Sequence, residues 1–179
     1  MRKVVVKYGL ISGAIIAGLM FATLSLMEDG ALNFDTGEYF GYGAMLVALS
    51  MVFFGIKSYR DEQTGRSIKF LKGVQVGLLI SLVASLVYAV SWEVYLQTNA
   101  EIRETFFAKY TEHYVGKLRE QGVPQDQIER VRADMTAMGE LYKNPLIRFG
   151  MTLAEILPLG IVVTMLSAAI LRRKEVLAE

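Results

Sequence analysis

The chain has no cysteine, one histidine, one tryptophan and three prolines among its 179 residues. The absence of cysteine excludes disulfides, thiolate metal sites and cysteine nucleophiles. The single histidine, His113, excludes a histidine-rich metal cluster. A formal net charge of +1 offers no basic excess for nucleic acid. No phosphate-binding loop, metal motif or nucleophile–base pair occurs in the sequence. We therefore expect a protein that is not an enzyme, has no catalytic residues and uses no cofactor or metal.

Four long apolar stretches dominate what is present. They cover residues 4–27, 39–56, 73–96 and 146–171. A helix needs about 20 apolar residues to cross the hydrocarbon core, and a spanning backbone must satisfy its own hydrogen bonds. The sequence therefore predicts an all-α protein with four transmembrane helices. Arg2 and Lys3 before the first stretch resemble the start of a signal peptide, but that stretch is longer than the usual signal core, so we expect it to be retained.

The charges of the connecting segments alternate. The basic segments are the start of the chain with Arg2, Lys3 and Lys7, the second loop with Lys57, Arg60, Arg66, Lys69 and Lys72, and the tail with Arg172, Arg173 and Lys174; the first loop is acidic, with Glu28, Asp29, Asp35 and Glu38. Basic residues near helix ends mark the cytoplasmic side. The alternation predicts that the N-terminus and the C-terminus are both cytoplasmic.

The segment between spans three and four is polar but patterned. Apolar residues recur every three or four positions, first at Ile102, Phe106, Tyr110, Tyr114 and Leu118, then at Ile128, Val131, Met135, Met138 and Tyr142. Such spacing indicates two amphipathic helices. We expect an extracytoplasmic antiparallel helical hairpin over 97–144, between a first segment of three spans (1–96) and a last segment with span four and the basic tail (145–179). Gly122, Val123 and Pro124 are expected to separate the two helices, because glycine suits a helix end and proline a new first turn. A bend is expected near Thr98 and Asn99, and the hairpin either protrudes or lies on the outer leaflet.

Small residues recur every four positions in span three, at Gly73, Gly77, Ser81 and Ser85, and more briefly in span one at Gly9 and Gly13. Residues spaced by four share one helix face. Small side chains let helices approach closely, which is a main source of helix association in lipid. We interpret both stripes as packing surfaces. The alternative interpretation is a substrate path lined by small residues.

Two carboxylates lie within the apolar stretches. Glu93 is near the outer edge of span three, whereas Glu155 lies roughly 12 Å inside span four, close to Pro158. Proline removes a helical hydrogen bond and can kink the helix. Ionisable groups in spans are functional candidates because they are costly there. Glu155, Pro158 and Glu93 are therefore the candidate functional residues. In the structural alternative, Glu93 is an interfacial residue reached by water, and Glu155 is protonated or paired with Arg148 or another polar group.

Several segments resemble a family of small four-span bacterial membrane proteins of unknown function, common in the Bacteroidota. The similar segments are KYGLISG at 7–13, FGYG at 40–43, FGIKSYRD at 54–61, KNPL at 143–146, EILP at 155–158 and RRK at 172–174. The resemblance covers nearly the full length. It implies four spans and a location in the inner (plasma) membrane, and it implies no activity, cofactor or catalytic residue.

Taken together, these patterns favour an integral inner-membrane protein with a structural or accessory role. Its partners would be the lipid bilayer and, through the external hairpin, a membrane protein or a second copy of the chain. The alternative is a small transporter or channel component that uses Glu155 and Glu93. No feature indicates nucleic acid as a partner.

Overall fold

The structure, a computed structural model, describes residues 1–28, 30–63 and 67–172. Over these residues it contains six helices and no strand. The helices are α1 (Arg2–Glu28), α2 (Phe34–Asp61), α3 (Phe70–Thr98), α4 (Ala100–Glu120), α5 (Gln125–Tyr142) and α6 (Pro145–Leu171). Four of them, α1, α2, α3 and α6, are long and apolar enough to cross a membrane. The predicted all-α class with four membrane spans is confirmed, and the chain is a multi-pass membrane protein.

The helices extend beyond the apolar stretches that predicted them. The second stretch begins at residue 39, but α2 begins at Phe34. The Asn33 side chain accepts a hydrogen bond from the Thr36 backbone N–H at 2.9 Å, and the Thr36 hydroxyl accepts one from the Asn33 N–H at 3.3 Å. This reciprocal cap satisfies the first turn outside the apolar region. Apolar residues therefore mark the part of a helix suited to lipid, whereas caps mark where the helix ends.

Two short breaks separate α3, α4 and α5. Asn99 leaves helical geometry, with φ −123° and ψ 78°, between the end of α3 and the start of α4. Gly122 adopts φ +73° after α4, and the Val123 N–H donates to the Leu118 carbonyl at 3.0 Å. Many helices end with a residue of positive φ at this position, and glycine adopts that conformation without strain. Both breaks occur where the sequence predicts them.

The described residues form two compact units. The first comprises Met1–Val90 and the part of α6 from Leu153 onward, and the second comprises Ser91–Thr152. In the first unit, α2, α3 and α6 contribute fully buried residues, among them Ile56, Ile80 and Ile156, to one apolar core. The second unit contains α4 and α5, the last turns of α3 and the first turns of α6.

Some predicted features involve residues that the structure does not describe. They are Asp29 in the acidic first loop, Arg66 in the basic second loop, and Arg173 and Lys174 in the basic tail. The sequence predicts three segments, 1–96, 97–144 and 145–179. Their limits are set by the expected membrane boundary and stay a prediction.

Candidate functional site

The largest fully buried side chain in the second unit is a charged one. Arg148, in the first turn of α6, is 1% exposed. Its Nε donates to one carboxylate oxygen of Glu93 at 2.7 Å and its Nη2 to the other at 2.6 Å. Its Nη1 donates to the Tyr142 carbonyl at 3.2 Å. Two parallel N–H···O bonds to a carboxylate are the strongest arrangement that an arginine makes with an acid.

Aromatic rings surround this ion pair. The Tyr142 ring lies 5.6 Å from the guanidinium carbon of Arg148, within the range of a cation–π interaction. The Tyr142 hydroxyl accepts a hydrogen bond of 2.7 Å from the indole N–H of Trp92. The Phe107 ring centroid lies 5.3 Å from that of Tyr142, and that of Phe106 lies 5.4 Å from that of Trp92. The network thus includes side chains from the end of α3, from α4 and α5, and from the start of α6.

Local sequence explains how Arg148 reaches this position. Proline has no N–H to leave unpaired and suits the first turn of a helix, and α6 begins at Pro145. The Asn144 side chain accepts a hydrogen bond from the Leu146 N–H at 3.0 Å, which caps the new helix. The cap fixes the start of α6, so that Arg148 follows one turn later with its own backbone N–H bonded to the Asn144 carbonyl at 3.0 Å.

The ion pair and hydrogen bonds of this network hold its side chains in one arrangement. Burying a lone guanidinium costs several kcal/mol, and only a well-oriented carboxylate with further hydrogen bonds offsets that cost. Both oxygens of Glu93 are used by Arg148, and the remaining guanidinium nitrogen is used by Tyr142. Glu93 is therefore held by Arg148, and moving either side chain would separate a buried ion pair.

Glu155 is in a different situation. It lies on the exposed side of α6, together with Pro158, and α6 continues as a helix through the proline. Glu155 makes no hydrogen bond or ion pair with any residue that the structure describes. Another carboxylate, that of Glu38 one turn into α2, acts on Glu155 by charge repulsion. Arg148, the partner considered from sequence, has its donors occupied by Glu93 and Tyr142.

Glu38 belongs to the first turns of α2, ahead of the apolar stretch that begins at residue 39. The depth of Glu155 in the membrane, counted as roughly 12 Å from the end of span four, stays a prediction.

The small residues of spans one and three lie at close helix contacts. A Cβ atom added at Gly9 would come 2.6 Å from Cβ of Val83, and one at Gly13 would come 2.5 Å from Cβ of Val87. Added at Gly77, it would come 2.6 Å from the Thr164 methyl group. Such distances are shorter than any carbon–carbon contact, so only glycine fits these backbones as they stand.

The rest of the span-three stripe also faces α6. A Cβ atom at Gly73 would lie 3.1 Å from that of Ala168. The Ser81 hydroxyl donates to the Gly160 carbonyl at 3.4 Å, whereas the Ser85 hydroxyl bonds within its own helix, to the Ser81 carbonyl at 2.7 Å. Small residues and hydroxyl groups are the usual contacts between helices in lipid.

Comparison with known proteins gives one result. A family model described as a protein of unknown function (DUF4199) matches residues 7–173, which is most of the chain. The chain belongs to the DUF4199 family. No curated protein and no solved structure matches it significantly. The match includes three of the four candidate membrane spans of this DUF4199 protein in full, the first from Lys7 onward, and both partners of the buried ion pair.

Sequence reasoning named Glu93 in this DUF4199 protein but missed its partner. Arg148 was considered only as a companion of Glu155, since both lie in the same helix. A signal was available: α3 and α6 are consecutive spans that run in opposite directions, and Glu93 and Arg148 lie similar distances from the ends that α4 and α5 connect. Two opposite charges at matching depth on neighbouring helices indicate an ion pair.

Proposed function

We propose that this DUF4199 protein is a structural or accessory protein of the bacterial inner membrane and not an enzyme. The observation that carries the proposal is the buried Arg148–Glu93 pair, in which each guanidinium nitrogen and both carboxylate oxygens are hydrogen-bonded. A working site needs a group that can exchange partners, whereas this arrangement holds four helix segments in one geometry. The resemblance to membrane proteins common in the Bacteroidota supports the bacterial origin.

The proposal includes an orientation, with the N-terminus and the C-terminus in the cytoplasm and α4 and α5 outside. Its support is the concentration of Lys and Arg near the start of α1, the end of α2 and the end of α6, against Asp35 and Glu38 at the start of α2. The chain has no cysteine, so single cysteines can be placed freely. In intact cells, Asp35→Cys and Gln121→Cys should react with an impermeant reagent, and Gln63→Cys should react only after the membrane is opened. The reverse pattern would contradict this orientation.

We further propose that α4 and α5 form an antiparallel hairpin. The Arg132 guanidinium of α5 bonds to the Glu112 carboxylate of α4, and the Phe107 ring approaches Gly139 to about 3 Å from its Cβ position. The two contacts pair an early residue of one helix with a late residue of the other, which is the order expected of antiparallel helices. The exposed apolar residues Tyr114, Met138 and Leu141 are then the surface offered to a partner protein or to a second copy of the chain.

Purification from the native membrane tests the partner. The wild-type protein and a variant with Tyr114→Ser, Met138→Ser and Leu141→Ser would be isolated in parallel, with their masses measured in detergent. A second copy or a foreign protein retained by the wild type and lost from the variant supports the accessory role. If both proteins are monomers in detergent and no other protein is isolated with either of them, the accessory role is contradicted.

The alternative function, a small transporter or channel component, is favoured by one observation: Glu155 has no polar partner among the described residues. Glu93 no longer supports it, since Arg148 holds that carboxylate. Glu155→Gln removes ionisation at nearly constant volume. The structural account expects the variant to complement a deletion strain with unchanged thermal stability in detergent. A stable variant that fails to complement would instead favour proton-coupled transport through Glu155.

A further inference from the structure

The end of the first unit where α2 ends and α3 begins has a strong excess of positive charge. The basic residues described there are Arg2, Lys3, Lys7, Lys57, Arg60, Lys69, Lys72 and Arg172. Against these eight stand two carboxylates, Asp61 and Glu62. Tyr8 of α1 packs against Gly55 of α2, and Val4, Tyr59, Ile68 and Leu171 share one apolar core. The start of α1, the end of α2, the start of α3 and the end of α6 therefore lie at the same end, called here the basic end.

Few of these cations are neutralised within the chain. Arg60 pairs with its neighbour Asp61 at 2.8 Å, the Lys7 ammonium lies over the Tyr8 ring, and Lys72 bonds to the neutral Gln75 side chain. Lys57, Lys69 and Arg172 are exposed, and none of them forms an ion pair with the residues described. Like charges repel one another, so an uncompensated group of this kind is stabilised by an anion from outside the chain.

Three of the cations lie in or next to three different helices, α2, α3 and α6, which approach one another at one glycine. A Cβ atom at Gly73 would lie 3.1 Å from Cβ of Ala168 in α6 and 3.7 Å from a methyl group of Ile56 in α2. The next residue after Ile56 is Lys57. Lys69 lies one helical turn before Gly73, whose N–H bonds to the Lys69 carbonyl at 3.0 Å. Arg172 lies one helical turn after Ala168, and its N–H bonds to the Ala168 carbonyl at 3.1 Å. Lys57, Lys69 and Arg172 are thus each within about one helical turn of a residue at this three-helix contact.

We infer that Lys57, Lys69 and Arg172 bind the phosphate headgroup of an anionic phospholipid in the leaflet that the basic end faces. The three residues lie at the ends of apolar segments of candidate membrane spans, Lys57 and Arg172 after such a segment and Lys69 before one, which puts their side chains at headgroup level. Basic groups between spans at a membrane surface recognise anionic headgroups, and each Lys or Arg contributes about 1 kcal/mol there. The phosphate diester offers acceptor oxygens, and these three cations have no carboxylate partner among the residues that the structure describes. The inference depends on neither the orientation nor the accessory role proposed above.

Native mass spectrometry of the full chain in detergent tests this inference. Phosphatidylglycerol and phosphatidylcholine with the same acyl chains would be titrated against the wild type, against Lys57→Gln/Lys69→Gln/Arg172→Gln, and against a matched control. The control, Lys109→Gln/Arg119→Gln/Arg130→Gln, removes the same number of exposed cations from α4 and α5. We expect the wild type to prefer phosphatidylglycerol and the basic-end variant to bind it on the order of a hundredfold more weakly, about fivefold for each charge. The control should keep the preference.

Two results would overturn the inference: a wild type that binds both lipids equally, or a control that loses as much affinity as the basic-end variant. Circular dichroism establishes that each variant is folded. If the triple variant loses its helicity, the three single variants replace it, each with an expected loss of about fivefold. Unchanged affinity in all three single variants would equally overturn the inference.

Discussion

The two compact units of this DUF4199 protein are held together by different interactions. The first unit, with α1, α2 and most of α3 and α6, relies on close contact: glycines face valines and a threonine, and buried hydroxyl groups bond to carbonyls. The second unit relies on one buried ion pair enclosed by aromatic rings. In lipid the hydrophobic effect does not drive helices together, so shape must do so. The contrast teaches that charge is used where α4 and α5 connect to the spans, and close packing is used within the spans.

The largest effect should come from breaking the ion pair. Glu93→Gln leaves Arg148 buried without a counter-charge, and we expect a loss of about 3–5 kcal/mol in the free energy of unfolding. The matched control is Glu112→Gln, which breaks the Arg132–Glu112 pair of the same type on the exposed surface of the same unit. That pair should contribute about 0.2–1 kcal/mol. Unfolding in mixed micelles with increasing SDS, followed by circular dichroism, measures both. Equal losses would remove the distinction between buried and exposed pairs.

A smaller effect should come from filling a glycine contact in the first unit. Gly77→Ala forces a methyl group against Thr164 and Ile56, and overpacking of this kind costs about 1–3 kcal/mol. Gly18→Ala is the control, because an added Cβ there meets no atom within 4 Å. Alanine stabilises a helix interior by about 0.5–1 kcal/mol relative to glycine, so the control should gain stability. The same SDS titration measures the free energy of unfolding of both variants. If both are more stable than the wild type, the packing between spans tolerates the added methyl group and this prediction is wrong.

The smallest effect should come from a single buried hydroxyl group. Ser12 donates to the Ala48 carbonyl at 2.7 Å, between α1 and α2. Such interhelical bonds average about 0.6 kcal/mol in membrane proteins, so Ser12→Ala should cost about that amount. Thr23→Ala is the control, since the Thr23 hydroxyl bonds only to the Leu19 carbonyl of its own helix. The difference between the two melting temperatures in detergent reports the interhelical bond. A loss above about 2 kcal/mol for Ser12→Ala would mean that polar bonds, rather than close packing, hold the first unit.

The four spans could be predicted because hydropathy depends on residue type alone. The periodicity of 97–144 likewise predicted two helices there, and Gly122 predicted the break between them. The start of α2 was missed because its cap, Asn33 with Thr36, lies outside the apolar stretch. The partner of Glu93 was missed for another reason. Periodicity places a residue on a face of its own helix, but it does not say which side chain of another helix that face meets.

Glu155 shows the same limit. Its sequence context, apolar on both sides and close to Pro158, identifies it as an intramembrane candidate. The sequence does not say that Arg148, a possible partner seven residues earlier in the same helix, bonds to Glu93 and Tyr142 instead.

The central claim is that Arg148 and Glu93 act as one structural unit, and a double-mutant cycle tests it most directly. Glu93→Leu, Arg148→Met and the double variant would be unfolded in mixed micelles beside the wild type. Each single variant leaves one buried charged group without its partner, whereas the double variant replaces both charges with apolar side chains of similar size. We predict a double variant close to wild-type stability and a coupling free energy of at least about 3 kcal/mol. Losses that simply add, with the double variant the least stable of the four proteins, would contradict the account.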